Sequence, residues 1–149
     1  MKLPEEDFRK IVALTPLVSI DLLVRQRGRY LVGLRQNRPA QGCLFVPGGR
    51  IFKDEPLAEA FARIAESELG LSKTLADAHF RAVNEHLYPD SMFDPATSTH
   101  YVNLSYELSL ADGEMVQFDD QHAGSEWLTP QEIRMHPKVH PYTAWHFPE

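Results

Sequence analysis

Hydrophobic and polar positions divide the first third of the chain into short apolar segments separated by turns. Residues 16–24, PLVSIDLLV, and residues 30–34, YLVGL, are apolar and flank a polar turn that contains Gly28. Two such runs around a short turn predict a β-hairpin. Residues 44–46, LFV, predict a further buried strand that ends at PGG, and residues 4–14 predict a short helix in front of the hairpin.

Residues 101–110 alternate strictly between apolar and polar side chains, which predicts a half-buried strand. The apolar face consists of Val102, Leu104, Tyr106, Leu108 and Leu110. Residues 80–87 and 126–128 predict two more strands, and residues 89–99, which are polar and contain two prolines, predict a loop.

The helical period is clearest between about Glu55 and Leu69. Apolar side chains recur there at helical spacing, at Leu57, Ala60, Phe61, Ile64 and Ala65. Asp54 is the predicted N-cap, and Gly70 stands where a left-handed C-cap residue belongs. Thr129 to Glu132 has the form of a capping box that starts another helix. The tail after Pro137 has no clear period.

Strands flanked by two or three helices without regular alternation predict an α+β fold, with a mixed sheet between helices in α/β/α layers. The 149 residues are enough for one domain, so we expect a single domain over 1–149.

Charge and composition exclude several classes of protein. There are 21 acidic and 15 basic residues, a net charge of −6, and no basic stripe, which argues against nucleic-acid binding. No apolar run is long enough for a membrane span, and the charged start predicts no signal peptide. One cysteine, Cys43, excludes an internal disulfide. We therefore expect a cytoplasmic protein that has no membrane partner.

Glu68 is the residue that first points to a site. It follows Leu57 by 11 positions, which places it about 20° from Leu57 around the helix, inside the apolar stripe. A carboxylate in such a position is costly unless it is paired or binds a metal. The helix alone leaves two alternatives, a side chain that reaches water or an arginine, and a metal ligand.

The segment 48–71, GGRIFKDEPLAEAFARIAESELGL, resembles the Nudix signature G-x5-E-x7-R-E-U-x-E-E-x-G-U. The matching positions are Gly49, Glu55, Arg63, Glu68, Gly70 and Leu71. The resemblance implies the Nudix fold, with a loop–helix–loop that holds a divalent cation against a diphosphate. Mg²⁺, or Mn²⁺, suits one or two carboxylates together with phosphate oxygens. Arg63 is also expected to form an ion-pair cluster with Glu55 and Glu59.

Two positions depart from that signature, because Ile64 and Ser67 replace glutamates. The same departure is a feature of the GDP-mannose mannosyl hydrolases. The segments TPLVSID, NRPAQG, FVPGGR, THYV, DDQH and WLT also resemble that subfamily. The resemblance implies hydrolysis of GDP-mannose, or a related GDP-hexose, to GDP and free sugar. Substitution takes place at the anomeric carbon, with inversion.

The resemblance also assigns the groups that perform the chemistry. A backbone carbonyl of Gly48, or alternatively of Gly49, together with Glu68 and the Gln121 side chain, holds the cation. His122 matches the general base, although an isolated histidine in such an acidic stretch is otherwise a solvated loop residue.

The remaining assignments concern the substrate. Arg35, Arg50 and Tyr101 match residues that contact the diphosphate. The alternatives are a surface hairpin charge for Arg35, a helix–loop salt bridge for Arg50 and an ordinary strand residue for Tyr101. Asp21 is expected near the sugar or an arginine, and His86 and Tyr88 match substrate-side positions. Phe8 either stacks on guanine or belongs to the helix core. The subfamily also implies a homodimer.

Two other functions stay open. A conventional Nudix diphosphohydrolase cuts between phosphates, which Ile64 and Ser67 argue against. A nucleotide-sugar sensor binds without turnover, which the combination of Glu68, Gln121 and His122 argues against. His136 and His140 are interpreted as tail residues and not as a zinc site.

Overall fold

The computed structural model describes residues 3–117 and 124–148. Its helices are α1 (Glu5–Leu14), α2 (Leu57–Leu69), α3 (Pro130–Met135) and α4 (Pro141–Ala144), with a 3₁₀ turn at Leu75–Asp77. Its strands are β1 (Leu17–Gln26), β2 (Arg29–Leu34), β3 (Leu44–Phe45), β4 (Gly48–Arg50), β5 (Ala78–Tyr88), β6 (Thr99–Ser109) and β7 (Glu126–Leu128).

The strands form a mixed sheet with the order β3-β2-β1-β6-β5. Strands β1 and β6 are parallel and pair from Leu17 to Arg25, whereas β1 pairs with β2 and β6 pairs with β5 in antiparallel fashion. The short strand β4 also lies antiparallel to β1, with Asp21 opposite Gly48, and β7 pairs with β2. The central strand β1 therefore pairs directly with β2, β4 and β6.

Helices cover both faces of this sheet. On one face, α2 buries Phe61 and Ile64 against the alternate apolar side chains of β1 and β6. On the other face, Leu23 and Val32 pack against Ile133 of α3 and Phe147, which follows α4. The two cores confirm the predicted α+β class with helices on both sides of a mixed sheet.

Strand β6 differs from the half-buried strand that its alternation predicts. Its polar side chains Asn103 and Ser105 are 1% and 0% exposed, so the polar face is buried in the middle of the strand. On the same face Glu107 is partly exposed and Ser109 is exposed. Asn103 Nδ2 donates to Ser19 Oγ of β1 at 2.9 Å, so the buried amide has a partner on the neighbouring strand.

The ends of the helices correct one prediction and confirm two. Helix α2 begins at Leu57, and the residue before it, Pro56, makes no side-chain capping bond. Asp54 has φ 64° in the preceding loop, so its prediction as the N-cap is wrong. Gly70 has φ 66° and is the predicted left-handed C-cap, and Thr129 forms the predicted capping box with Glu132.

The C-terminal tail, for which the sequence predicts no element, folds against the sheet. Helix α4 starts after His140, whose Nδ1 accepts a hydrogen bond from Tyr142 N at 3.1 Å. Tyr142 Oη donates to Leu87 O of β5 at 2.8 Å and accepts from Leu87 N at 3.1 Å. These contacts tie the tail to the edge strand of the sheet.

No helix within residues 3–117 and 124–148 has the length and apolar character that crossing a membrane requires.

Candidate functional site

A cleft of about 610 Å³ is lined by residues of the sheet, of the segment around β3 and β4, and of helix α2. Nine of the residues named as candidates from the sequence line it, namely Asp21, Arg35, Gly48, Gly49, Arg50, Glu68, His86, Tyr88 and Tyr101. They come from strands β1, β4, β5 and β6, helix α2 and the end of β2, so only the folded chain brings them together. Gln121 and His122 lie outside the described residues, and their predicted roles stay predictions.

One wall of the cleft begins at the loop in front of α2, which Arg63 holds in place. Arg63 Nε donates to Glu55 Oε2 at 2.7 Å, and Nη2 donates to Glu55 Oε1 at 2.9 Å and to Arg50 O at 2.7 Å. Phe52 N also donates to Glu55 Oε1, at 3.0 Å. The hydrogen bonds from Arg63 lower the pKa of Glu55 to about 2, so the pair is fully ionised at neutral pH. The expected Arg63–Glu55 pair is present, whereas Glu59 is exposed.

Because β4 contains two glycines, its backbone packs closely against strand β1 and helix α2. A Cβ on Gly48 has no room, because it overlaps Ile20 O and lies 2.7 Å from Asp21 Oδ1. A Cβ on Gly49 lies 3.0 Å from Ile64 Cγ1. Ile64, which stands where the Nudix signature has a glutamate, is 1% exposed and belongs to the core. The signature helix therefore turns an apolar group toward β4 at this position, while Glu68 lines the cleft.

The two arginines of the cleft are each packed on aromatic rings. The Arg50 guanidinium carbon lies 4.7 Å from the Phe8 ring centroid and 5.0 Å from that of Phe52, and Arg35 lies 5.3 Å from Phe45. Such stacking restricts the planar guanidinium to few orientations. Phe8 does not line the cleft, and its ring contacts Arg50 and Phe93.

Burial changes the proton affinity of the groups around these arginines. It raises the pKa of Tyr101 and lowers the pKa of Arg50. Tyr101 is consequently a neutral phenol at physiological pH, which can donate a hydrogen bond. Two fixed cations and one hydroxyl donor on one wall form an arrangement suited to a dianionic group.

Asp21, His86 and Tyr88 also line the cleft, and His86 lies opposite Tyr101 in the β5–β6 pair. His86 is 5% exposed, and its ring stacks on Tyr142 with centroids 4.5 Å apart and an interplanar angle of 4°. Burial lowers the pKa of His86, which favours the neutral ring. Within the described part of the chain, His86 Nε2 has no hydrogen-bond partner. This buried ring nitrogen therefore has unused hydrogen-bonding capacity beside the cleft.

Asp21 was expected near the sugar or an arginine. Its partner in the structure is a histidine. Its Oδ2 lies 3.3 Å from Nε2 of His146, which is 125 positions further along the chain. His146 and Tyr142 contact the cleft residues Asp21 and His86 from behind. Sequence reasoning missed both, because no periodicity in the tail indicates them. His136 and His140, the other tail histidines, have separate neighbours, since His136 Nε2 lies 3.6 Å from Glu126 and His140 stacks on Phe45.

Ser19 and Asn103 also line the cleft and were not predicted. A signal for them was present, because Ser19 is two residues before Asp21 and Asn103 two residues after Tyr101. Residues two apart in a strand share a face. Each predicted site residue on these strands thus indicated its polar neighbour.

Comparison with known proteins identifies the family of the chain. The NUDIX domain matches residues 15–147 of the chain. The chain belongs to the NUDIX family. A relative from Haloferax volcanii, the low-salt glycan biosynthesis protein Agl8, is 38% identical over 141 residues, which are 95% of this chain and 88% of that protein. An ADP-ribose pyrophosphatase from Methanocaldococcus jannaschii is 28% identical over 72% of this chain and 59% of its own length.

Solved structures agree with this membership. A MutT NUDIX hydrolase from Burkholderia pseudomallei superimposes with a TM-score of 0.68 at 26% identity, over 89% of this chain and 96% of that chain. The NUDIX domain of Shewanella oneidensis NrtR, solved with ADP ribose, superimposes with a TM-score of 0.64 at 15% identity, over 97% and 96% of the two chains. The predicted Nudix fold is confirmed, and the chain is a Nudix hydrolase, a class that generally uses divalent metals such as Mg²⁺.

Proposed function

We propose that this Nudix hydrolase cleaves GDP-mannose, or a related GDP-hexose, to GDP and free sugar by substitution at the anomeric carbon with inversion. The observation that carries the proposal is where the structure places Ile64 and Ser67, the two residues that depart from the signature. Ile64 is buried in the core and Ser67 is exposed, so Glu68 is the carboxylate of α2 that reaches the cleft. Attack at phosphorus in the family commonly uses glutamates at those two positions, whereas departure of an intact diphosphate from carbon does not need them.

The leaving group in this reaction is GDP, and the cleft offers it a matching surface. Arg35 and Arg50 are fixed by aromatic stacking, and Tyr101 retains its proton. All three can stabilise the negative charge that develops on the diphosphate as its bond to C1 breaks. Because they are already held in place, little reorganisation is needed when that charge appears.

The residues present fit a hard divalent cation that is shared with the diphosphate. Within residues 3–117 and 124–148, no group of three or more His, Cys, Asp or Glu side chains could hold a metal ion alone. Glu68 and a carbonyl of Gly48 or Gly49 are oxygen donors on the cleft wall, and Gln121 is the third predicted ligand. Mg²⁺ prefers such a partial protein shell completed by phosphate oxygens and water. When bound, Mg²⁺ neutralises charge on the departing diphosphate.

Water supplies the other half of the substitution. In the proposed step the water oxygen forms a bond to C1 while the bond from C1 to the diphosphate oxygen breaks. His122, assigned from the resemblance, accepts the proton of that water. Attack opposite the leaving group inverts the anomeric centre. Asp21, His86 and Tyr88 are the proposed contacts to the sugar, because they are further polar residues of the same cleft.

The name of the Haloferax volcanii relative supports a nucleotide-sugar substrate, since it is a glycan biosynthesis protein. The archaeal ADP-ribose pyrophosphatase favours instead a second candidate, attack at phosphorus to give GMP and a sugar phosphate. We also propose a homodimer, which the subfamily resemblance implies, and a cytoplasmic location, which the single cysteine favours.

The position of the isotope in the products of hydrolysis in ¹⁸O-water distinguishes the two reactions. The enzyme is incubated with GDP-mannose and Mg²⁺, and the products are identified by mass spectrometry. We expect label in mannose and none in GDP. Label in GMP or mannose phosphate means attack at phosphorus and overturns the proposal. Binding without turnover of any GDP-hexose overturns it in favour of a sensor.

Glu68→Gln tests the metal assignment with nearly unchanged side-chain volume. We expect weaker Mg²⁺ binding by calorimetry and a loss of at least tenfold in kcat, because one ligand charge is removed. Ser67→Gln, on the exposed neighbouring position, is the matched control and should retain both properties. Normal Mg²⁺ affinity and turnover in Glu68→Gln contradicts the role of Glu68 as a ligand.

A further inference from the structure

His146 makes a buried contact to the cleft from the far end of the chain. Its side chain is 4% exposed, and its Nε2 lies 3.3 Å from Oδ2 of Asp21, whose side chain is 17% exposed. A carboxylate oxygen accepts hydrogen bonds and does not donate them, so the contact requires the ring hydrogen on Nε2. The histidine thus presents one defined donor to one defined oxygen.

We propose that His146 is a positioning residue that fixes the Asp21 carboxylate for recognition of sugar hydroxyl groups. The proposal rests on the proposed function, since it assigns the Asp21 end of the cleft to the hexose. It also makes the C-terminal segment, residues 140–147, a functional part of the site.

The C-terminal segment is held firmly on both sides of His146. Phe147 is 5% exposed, and its ring lies 4.6 Å from that of Tyr30 in the core. Arg134 Nη1 donates to Phe147 O at 3.2 Å. On the other side, Tyr142 is bonded to the backbone of Leu87 through its hydroxyl. Because both flanks are anchored, the His146 ring has a fixed place from which to orient Asp21.

Asp21 needs such a partner because of where it lies. It stands among apolar neighbours in the central strand, where an ionised side chain without a partner is costly. Its Oδ2 faces His146, and its Oδ1 lies next to Gly48, close to where a Cβ of that glycine would be. The carboxylate is therefore oriented by a donor on one side and by the close backbone of β4 on the other. Asp21 and His86 line the same cleft, which matches a ligand that carries several hydroxyls.

Kinetics of three variants test the positioning role. His146→Phe keeps the ring and removes the donor, and His146→Gln keeps an N–H near the position of Nε2. His136→Phe alters a tail histidine outside the cleft and is the control. We expect His146→Phe to lower kcat/KM for GDP-mannose about ten- to hundredfold, because one hydrogen bond to a charged group is lost. The Kd of GDP, which lacks the sugar, should change less than twofold.

The rescue separates positioning from mere packing. His146→Gln should recover most of the lost kcat/KM, and all variants should unfold within a few degrees of the wild type. Wild-type kcat/KM in His146→Phe overturns the proposal. An equal loss of GDP affinity also overturns it, because the defect is then not specific to the sugar end.

A measurement on the free protein keeps this proposal separate from the proposed function. Ring ¹⁵N chemical shifts should show His146 as the Nε2–H tautomer or as the doubly protonated ring, and Asp21→Ala should move them. Shifts that are the same in Asp21→Ala overturn the positioning role. If the wild type hydrolyses no GDP-hexose, the proposed function fails while the ¹⁵N result still decides whether His146 holds Asp21.

Discussion

Ile64 and Ser67 both replace glutamates of the Nudix signature, but one lies in the core and the other faces solvent. Ile64 is 1% exposed and packs on Gly49, whereas Ser67 is on the exposed face of α2. Restoring a glutamate at each position therefore has different physical consequences. At position 64 the carboxylate enters a core of aliphatic and aromatic side chains, and at position 67 it enters water.

We expect Ile64→Glu to reduce the free energy of unfolding by about 3–5 kcal/mol, because it buries a charge without a partner. Ser67→Glu should change it by no more than about 0.5 kcal/mol. Urea unfolding at pH 7 measures both. A stable, fully folded Ile64→Glu variant contradicts the conclusion that position 64 belongs to the core.

At the scale of the element, the loop before α2 is closed by the Glu55–Arg63 pair. The Glu55 side chain is 13% exposed and accepts three hydrogen bonds. Glu55→Gln keeps the shape and removes the charge, so we expect a loss of about 1–2 kcal/mol at pH 7. Glu59→Gln, one turn from Arg63 but exposed, is the matched control and should be close to neutral.

The pH dependence provides a second readout for the same pair. The pKa of Glu55 is about 2 in the folded protein, against an ordinary value of 4.5. A lowered carboxyl pKa stabilises the fold above 4.5, and this contribution is lost as the pH falls from 4.5 toward 2. The Glu55→Gln variant should therefore lose less free energy of unfolding than the wild type as the pH falls. Urea unfolding from pH 5 to pH 2.5 measures this difference. An equal acid-induced loss in wild type and variant contradicts the assignment.

Elements whose stabilising contacts are local in sequence could be predicted from it. Helix α2 follows from its apolar stripe and from Gly70, and the start of α3 follows from the capping box at Thr129. Asp54 is the instructive failure. It is a good capping residue by type, but the Arg63–Glu55 pair fixes the loop with Pro56 as the last residue before the helix. A local preference was overridden by a contact eight residues away.

At the scale of the whole molecule, the site depends on contacts that no local pattern contains. Tyr142 bonds Leu87 across 55 positions, and His146 reaches Asp21 across 125. The diphosphate side was predicted because its residues lie in or next to recognisable motifs. The support that the C-terminal segment gives to Asp21 and His86 was not predicted, because short helices with isolated aromatic and histidine residues have no period.

Two histidines, His86 of β5 and His140 of the C-terminal segment, also give the whole protein a predicted pH response. Burial lowers the pKa of His86 and of His140, so both rings resist protonation in the folded state. In the unfolded chain the same rings bind protons below about pH 6.5. The unfolded state therefore gains protons that the folded state does not, and stability should fall as the pH drops through 6.5 toward 5.

Urea unfolding of the wild type at pH 8, 7, 6 and 5 measures this response, and the slope of stability against pH is the quantity to compare among variants. His86→Gln and His140→Gln should each reduce the slope between pH 7 and 5, because each removes one ring that takes up a proton on unfolding. His79→Gln, at an exposed position of β5, should leave it unchanged. Glu55 titrates below this window. An unchanged slope in both the His86→Gln and the His140→Gln variant, or stability that rises toward pH 5, contradicts the conclusion that these two buried rings resist protonation.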